Sequence, residues 1–450
     1  MTTSVTSGAT SAPTPAVNSR GRVVVASLIG TSIEFYDFYA YATAATLVFP
    51  ALFFPNQDGT TALLASFAAF GAAFVARPVG SVLFGHFGDR IGRKRTLVAS
   101  LLTMGIATVV IGLIPSASTP GWTVLAPTVL VLCRFCQGLG LGGEWSGAAL
   151  LATENAPAGK RAIWGTFPQL GAPIGFILAN LVFIGLSTSL SDAQFQSWGW
   201  RVPFLASAVL VIVGLWVRLK LIETPAFQKV VEADAVAKVP VAAVFRTSWR
   251  KIVSGTFIML ATYVLFYLMT TFTLTYGTTP ASDVPPGLGY AKVDFLWMLI
   301  IGVVFFGIFT LVSGPLAERF GRRGHLLVVT AAIAVFGLLF VPLFGGGTTG
   351  VMALLILGFT LMGLTFGPMA AMLPELFPGN VRYTGSAIAY NVSSILGAAV
   401  APFIAVWLWG ITDSPVLVGI YLSVMAVITL VALFVEKDTT HVDFTDDVGA

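Results

Sequence analysis

Gly85-His86-Phe87-Gly88-Asp89-Arg90-Ile91-Gly92-Arg93-Lys94-Arg95-Thr96 is answered in the second half of the chain by Gly314-Pro315-Leu316-Ala317-Glu318-Arg319-Phe320-Gly321-Arg322-Arg323-Gly324-His325. Gly85, Asp89, Arg90, Gly92 and Arg93 fall at the places taken by Gly314, Glu318, Arg319, Gly321 and Arg322. Each copy is a short basic loop between two long apolar stretches. A second doublet runs in step with the first: Glu154, Pro157 and Arg161 return as Glu375, Pro378 and Arg382. Parallel repeats of this kind place a substrate site near the bilayer midplane, between halves that rock about it.

Composition points the same way. Only 10% of the 450 residues are charged and 56% are apolar, too little charge to cover a soluble protein of this size. Twelve apolar segments can be drawn, over 23–49, 62–85, 96–115, 122–153, 162–187, 201–219, 251–277, 295–316, 325–344, 351–374, 383–409 and 415–435. Each is about as long as a helix needs to cross the hydrocarbon core. The expected architecture is an all-α integral membrane protein of twelve transmembrane helices in two pseudo-symmetric six-helix bundles, 23–219 and 251–435. A polar cytoplasmic linker, 220–250, joins them. A disordered tail rich in Ser, Thr, Pro and Ala is expected over 1–22, and a short acidic tail over 436–450. The first apolar segment is too long for the core of a cleaved signal peptide.

Orientation follows from Lys and Arg. Of 24 such residues, Arg77 and Arg134 lie within spans, and Arg201 and Lys292 sit at loops on one side. The rest lie on the side shared by both termini, the repeated loops and the linker, which is therefore cytoplasmic. The formal charge of +4 is thus topological and not a sign of nucleic-acid binding. Cys133 and Cys136 form a C-x-x-C inside an apolar helix with no second ligand pair, so packing explains them and no metal or other cofactor is expected. All three histidines, His86, His325 and His441, are expected in cytoplasmic loops or the tail. No nucleophile–base pair or phosphate loop suggests an enzyme.

Five charges stand inside spans, all in the first half: Glu34, Asp37, Arg77, Arg134 and Glu144. A charge at mid-membrane costs on the order of 2.5–3.5 kcal/mol even on the lenient insertion scale, so each should be paired or face a wet cavity. Glu34, Asp37 and Tyr41 share a helix face, as do Arg134, Gln137 and Glu144. Depth along the helices, at ~1.5 Å per residue, suggests Arg134 with Asp37 or Glu34, and Arg77 with Glu144. Three carboxylates against two arginines leave one carboxylate over. Such a group in a low-dielectric cavity binds and releases a proton readily. Asp37 is the first choice for proton coupling, with Glu34, Arg134 and Glu144 beside it. Substrate contacts are expected from Arg77, Arg134, Tyr41 and Gln137. In the second half the candidates are Tyr263, Tyr267, Thr270, Thr271, Tyr390 and Asn391. Asp89 and Glu318 are placed to accept hydrogen bonds from a neighbouring helix N-terminus, with Arg93 and Arg322 bridging to another helix end. That contact would latch the cytoplasmic side shut.

The repeated loop resembles the hallmark loop of the major facilitator superfamily, and Arg134-Phe135-Cys136-Gln137-Gly138-Leu139-Gly140 is similar to its arginine motif in span four. The likeness covers nearly all of residues 20–437. More narrowly, Gly30-Thr31-Ser32-Ile33-Glu34-Phe35-Tyr36-Asp37-Phe38, Ala76-Arg77-Pro78, Gly142-Gly143-Glu144-Trp145, Trp198-Gly199-Trp200-Arg201-Val202-Pro203-Phe204, Glu223-Thr224-Pro225 and Val381-Arg382-Tyr383-Thr384-Gly385 resemble the metabolite:proton symporter family. That resemblance implies a bacterial inner-membrane carrier of a small polar metabolite, an organic acid among the candidates, working as a monomer with the substrate, the proton and the lipid bilayer as its partners. The family's osmoprotectant carrier ends in a coiled coil, and no heptads mark the tail here. The competing reading is a proton antiporter, faintly suggested by Gly171-Ala172-Pro173-Ile174-Gly175, where Ala172 interrupts the usual Gly-Pro order. A transporter-like nutrient receptor would want a larger soluble insert than 220–250.

Overall fold

In the computed structural model, residues 19–57, 59–232, 239–440, 442 and 444 are described, and every regular element among them is helical. Lipid offers the backbone no hydrogen-bond partners, so an apolar span must satisfy its amides within itself. Twelve long helices do so. The first half holds α1 (Arg20–Leu47), α2 (Gly59–Ile91), α3 (Arg93–Leu113), α4 (Leu125–Glu154), α5 (Arg161–Ser189) and α6 (Arg201–Leu219). The second holds α7 (Trp249–Thr278), α8 (Lys292–Phe320), α9 (Arg322–Leu338), α10 (Gly347–Glu375), α11 (Arg382–Thr412) and α12 (Val416–Val435). Among the described residues ten of these are long and apolar enough to cross a membrane by length and composition, and α9 stops at Leu339 and resumes as Phe340–Phe344.

The residues between α6 and α7 include two short helices, Pro225–Glu232 and Pro240–Thr247. The expectation of an N-terminal tail falls outside the described residues as far as 18, and its end at Arg20–Arg22 is already helical. His441 also lies outside them. Neither His86 nor His325 is in a loop: His86 lies in the cytoplasmic end of α2, and His325 is buried in the first turn of α9, its Nε2 2.8 Å from the Leu364 carbonyl.

The helices are interrupted where the halves meet. α5 breaks at Leu170, and α7 and α11 each contain a π turn, at Leu268–Phe272 and Ile395–Ala399. Such turns re-aim side chains and recur at functional sites. Tyr263 and Tyr267 precede the first, and Tyr390 precedes the second. Across the divide, α2 packs on α11, and α5 packs on α8 and α10. At the opposite end, Arg201 donates to the Gly112 and Ile114 carbonyls at 2.9 and 2.7 Å, satisfying the C-terminus of α3.

Candidate functional site

Between the halves lies a tight cavity of about 20 Å³. Glu34 of α1, Arg77 of α2, Tyr263 and Tyr267 of α7 and Tyr390 of α11 line it, with Phe38 and Phe266 among the apolar walls. Arg77 is buried with its guanidinium carbon 5.4 Å from the Phe38 ring centre and 4.8 Å from that of Phe74. Aromatic faces stabilise a cation in a dry site, but they do not neutralise it. Among the described residues Arg77 makes no ion pair, and its Nε has no hydrogen-bond partner. Glu34 Oε2 is buried and equally unpartnered. Such groups are costly unless something binds them.

The expected partner of Arg77 is engaged elsewhere. Glu144 is held by Arg218 at the end of α6, whose Nη1 donates to Oε2 at 3.0 Å and whose Nη2 meets Oε1. Ser100 donates to the same Oε2 at 2.8 Å, and Arg218 also donates to the Leu97 carbonyl at 2.7 Å. Arg218 belongs to the basic set that fixes topology, yet its long side chain turns back into the bundle and is buried. Gly30 makes room for it: a Cβ there would sit 1.7 Å from Nη2.

Arg134 likewise pairs with neither Asp37 nor Glu34 among the described residues. Its guanidinium carbon lies 3.7 Å from the Tyr41 ring centre, and its Nη1 donates to Gln137 Oε1 at 2.7 Å. Equal depth on two helices is no guarantee that their side chains face each other. Asp37 instead accepts from Thr108 of α3 at 2.7 Å, a residue the charge pattern could not flag. Asp37, Arg134, Tyr41, Gln137 and Glu144 all lie outside the cavity lining. So does Asn391, whose amide donates to the Gly142 and Ala387 carbonyls at 2.9 and 2.8 Å. Thr270 is spent on the Phe266 carbonyl, and Thr271 is exposed.

Below the cavity the halves are sealed. Trp145 stacks on Tyr390, ring centres 3.8 Å apart and planes 7° from parallel. Its indole donates to Gln169 Oε1 at 2.7 Å, and Gln169 Nε2 donates to the Phe366 carbonyl across the divide at 2.6 Å. Tyr383 of α11 donates to the Gly143 carbonyl of α4 at 2.6 Å.

The repeated phrases, expected as loops, are helical except at Gly92 and Gly321, and they form the outermost seal. Gly92 and Gly321 adopt φ of 106° and 77°, the left-handed region that favours glycine, and turn the chain sharply between spans. Asp89 then accepts from the Tyr383 and Thr384 amides at 3.1 and 2.8 Å, at the N-terminus of α11 in the other half. Glu318 accepts from the Ala162 amide at 2.6 Å, at the N-terminus of α5. Each carboxylate therefore meets the positive end of a helix dipole across the divide. Arg93 ties Asp89 to Glu154 at 3.1 and 3.3 Å, and Arg322 ties Glu318 to Glu375 at 2.7 and 3.4 Å. Thr224 after α6 donates to Glu154, and Thr439 after α12 donates to Glu375. Arg90 and Arg319 take no part in these contacts.

Two six-helix bundles related by an internal repeat, closed over a midplane cavity, define a multi-pass transporter of the major facilitator superfamily. The chain belongs to the sugar (and other) transporter family, whose model matches residues 23–446. It is 58% identical over 430 residues to the inner membrane metabolite transport protein YhjE of Escherichia coli strain K12, covering 94% of this chain and 96% of that one. It is 37% identical over 401 residues to the shikimate transporter of the same organism, covering 85% and 86%. Among solved structures it resembles the proton:xylose symporter XylE bound to 6-bromo-6-deoxy-D-glucose, with a TM-score of 0.75, 17% identity, and 92% and 94% of the two chains covered.

Proposed function

We propose that this transporter sits in the bacterial inner membrane with both termini cytoplasmic, and imports a small organic acid together with a proton. The carrying observation is Arg77, a buried guanidinium facing the central cavity that makes no direct ion pair among the described residues, with the carboxylate of Glu34 on the same wall. A substrate carboxylate would supply a direct partner, and the two-pronged geometry of arginine suits it. Glu34, on the same cavity wall, would select for polar substrates. The proton is assigned to Asp37, which holds one buried oxygen without a partner and lies one helical turn from Glu34. Protonation there, outside the cavity but next to it, would couple to substrate binding through α1. The cytoplasmic seals support the view of a carrier closed toward the cytoplasm, whose cavity must widen before it takes an organic acid.

The test is transport in proteoliposomes, with shikimate, proline and glycine betaine as probes. Under an imposed inward proton gradient, wild-type protein should accumulate an anionic probe and lose that accumulation with an uncoupler. Asp37→Asn should keep substrate exchange and lose gradient-driven accumulation. Expulsion under the same gradient would establish the antiporter instead.

A further inference from the structure

We propose that Thr108 is a positioning residue for the coupling proton: its one hydroxyl hydrogen turns between Asp37 and the Met104 carbonyl as Asp37 loses and gains its proton. The proposal rests on the assignment of Asp37 as proton carrier. Thr108 Oγ1 lies 2.7 Å from Asp37 Oδ2 and 3.0 Å from the Met104 carbonyl one turn back on α3. Both are acceptors when Asp37 is ionised, and the hydroxyl has a single hydrogen to give. Gln137 Nε2 donates to the same oxygen at 2.6 Å. The orientation of that amide is fixed, because Arg134 only donates and holds Gln137 Oε1 at 2.7 Å. Thr108, Gln137, Arg134 and Asp37 are all buried.

The polarity of this chain satisfies both protonation states. With Asp37 ionised, Thr108 accepts from Gln137 and donates to the carboxylate. With Asp37 protonated, the Asp37 hydroxyl donates to Thr108 Oγ1, which still accepts from Gln137 and turns its hydrogen to Met104. The hydroxyl oxygen has two lone pairs and one hydrogen, and the second state uses all three. In neither state is the Thr108 oxygen or the bonded side of Asp37 left unsatisfied inside the bundle. Among the described residues Thr108 is the one donor at full hydrogen-bond geometry to Asp37, and the Ser207 hydroxyl lies close enough to act on the same carboxylate from the side of Oδ1. The charged and titratable groups acting on Asp37 are Arg134 from α4 and Tyr36 on its own helix, while α3 and α6 bring only the hydroxyls of Thr108 and Ser207.

The experiment needs no substrate. The protonated-carboxyl infrared band of the purified full-length protein is titrated in detergent, and the part removed by Asp37→Asn is assigned to Asp37. Thr108→Val keeps the shape and deletes the hydroxyl. Charge-assisted bonds are the stronger ones, so the ionised form loses more, and the midpoint should rise by about one pH unit. Thr108→Ser should restore it to within about a third of a unit, whereas a merely structural role would leave the midpoint unmoved. If Thr108→Val does not fold, Thr108→Cys, a weak donor of similar size, should show an intermediate rise. A hydroxyl-free variant with the wild-type midpoint overturns the role of Thr108. If Asp37→Asn removes no band at any pH, Asp37 is not the proton carrier, and the coupling assignment fails before Thr108 is tested.

Discussion

Arg218 grips Glu144 by both carboxylate oxygens, joining the cytoplasmic end of α6 to the middle of α4. Both side chains are buried, and Ser100 adds a third contact to the carboxylate. Removing one partner of such a pair leaves an uncompensated charge, which typically costs about 3–5 kcal/mol. Arg218→Gln should therefore lower the melting temperature of the purified protein sharply. Arg218→Met with Glu144→Met should recover most of the loss, because the pair's desolvation cost goes with it. Equal melting of the single and double variants would show that the two charges do not depend on each other.

Gly30 tests the same contact from the opposite side. The Cβ of Gly30→Ala would fall 1.7 Å from Arg218 Nη2 and 2.8 Å from Glu144 Oε1. Alanine is the better helix former by about 1 kcal/mol, so an open site would be stabilised. Here the guanidinium must move off Glu144, and a net loss of stability is expected in the same thermal assay.

Arg77 should behave otherwise, because it makes no direct ion pair among the described residues. Arg77→Ala should leave folding nearly unchanged, since it removes an unpaired buried cation with only ring contacts to lose. It should abolish the thermal shift given by whichever anionic probe stabilises the wild type. Arg77→Lys keeps the charge but not the fork, and should weaken that shift by about tenfold in apparent affinity. A probe that protects Arg77→Ala as well as wild type would remove Arg77 from the binding site.

The twelve spans were legible because a long apolar run has one stable form in lipid. The repeated glycines were legible too: Gly92 and Gly321 recur because the turn needs a positive φ. Which charges meet was not. Depth fixes a residue's height on its helix and leaves open the direction it faces, so Glu144 suited Arg77 on paper while Arg218 holds it. Arg218 was concealed by its position, counted among the basic residues that mark the cytoplasmic side. Thr108 was concealed by its type, since a hydroxyl in a span is usually spent on its own helix, as Thr270 is.

After Val435 the chain contributes a contact that neither half could provide alone. Phe444 is buried between Arg161 of α5 and Arg382 of α11, with guanidinium carbons 4.1 and 3.9 Å from its ring centre. Arg161 also donates to the Val442 carbonyl. Phe444→Ala should loosen the cytoplasmic side without unfolding the bundles. The measurement is thiol labelling, with Cys133 and Cys136 first replaced by serine and a single cysteine placed at Gly165, which faces Ala370 across the divide. Faster labelling is expected in the alanine variant, and wild-type rates would show that the tail is a passenger.

The carboxylates at the head of the repeated loops should act on the same equilibrium, one from each half. Asp89→Asn keeps an acceptor for the Tyr383 and Thr384 amides but gives up the charge that faces the helix dipole and Arg93. Glu318→Gln does the same at Ala162 and Arg322. A charge-assisted hydrogen bond exceeds a neutral one by about 1 kcal/mol, so each substitution should shift the closed-to-open ratio by about fivefold. The two sites share no partner, which makes their effects additive in free energy and about twenty-five-fold together. The same Gly165 cysteine would report this as a stepwise rise in labelling rate from wild type to single to double variant. A double variant no faster than either single would mean that one latch carries the gate and the other only repeats its sequence.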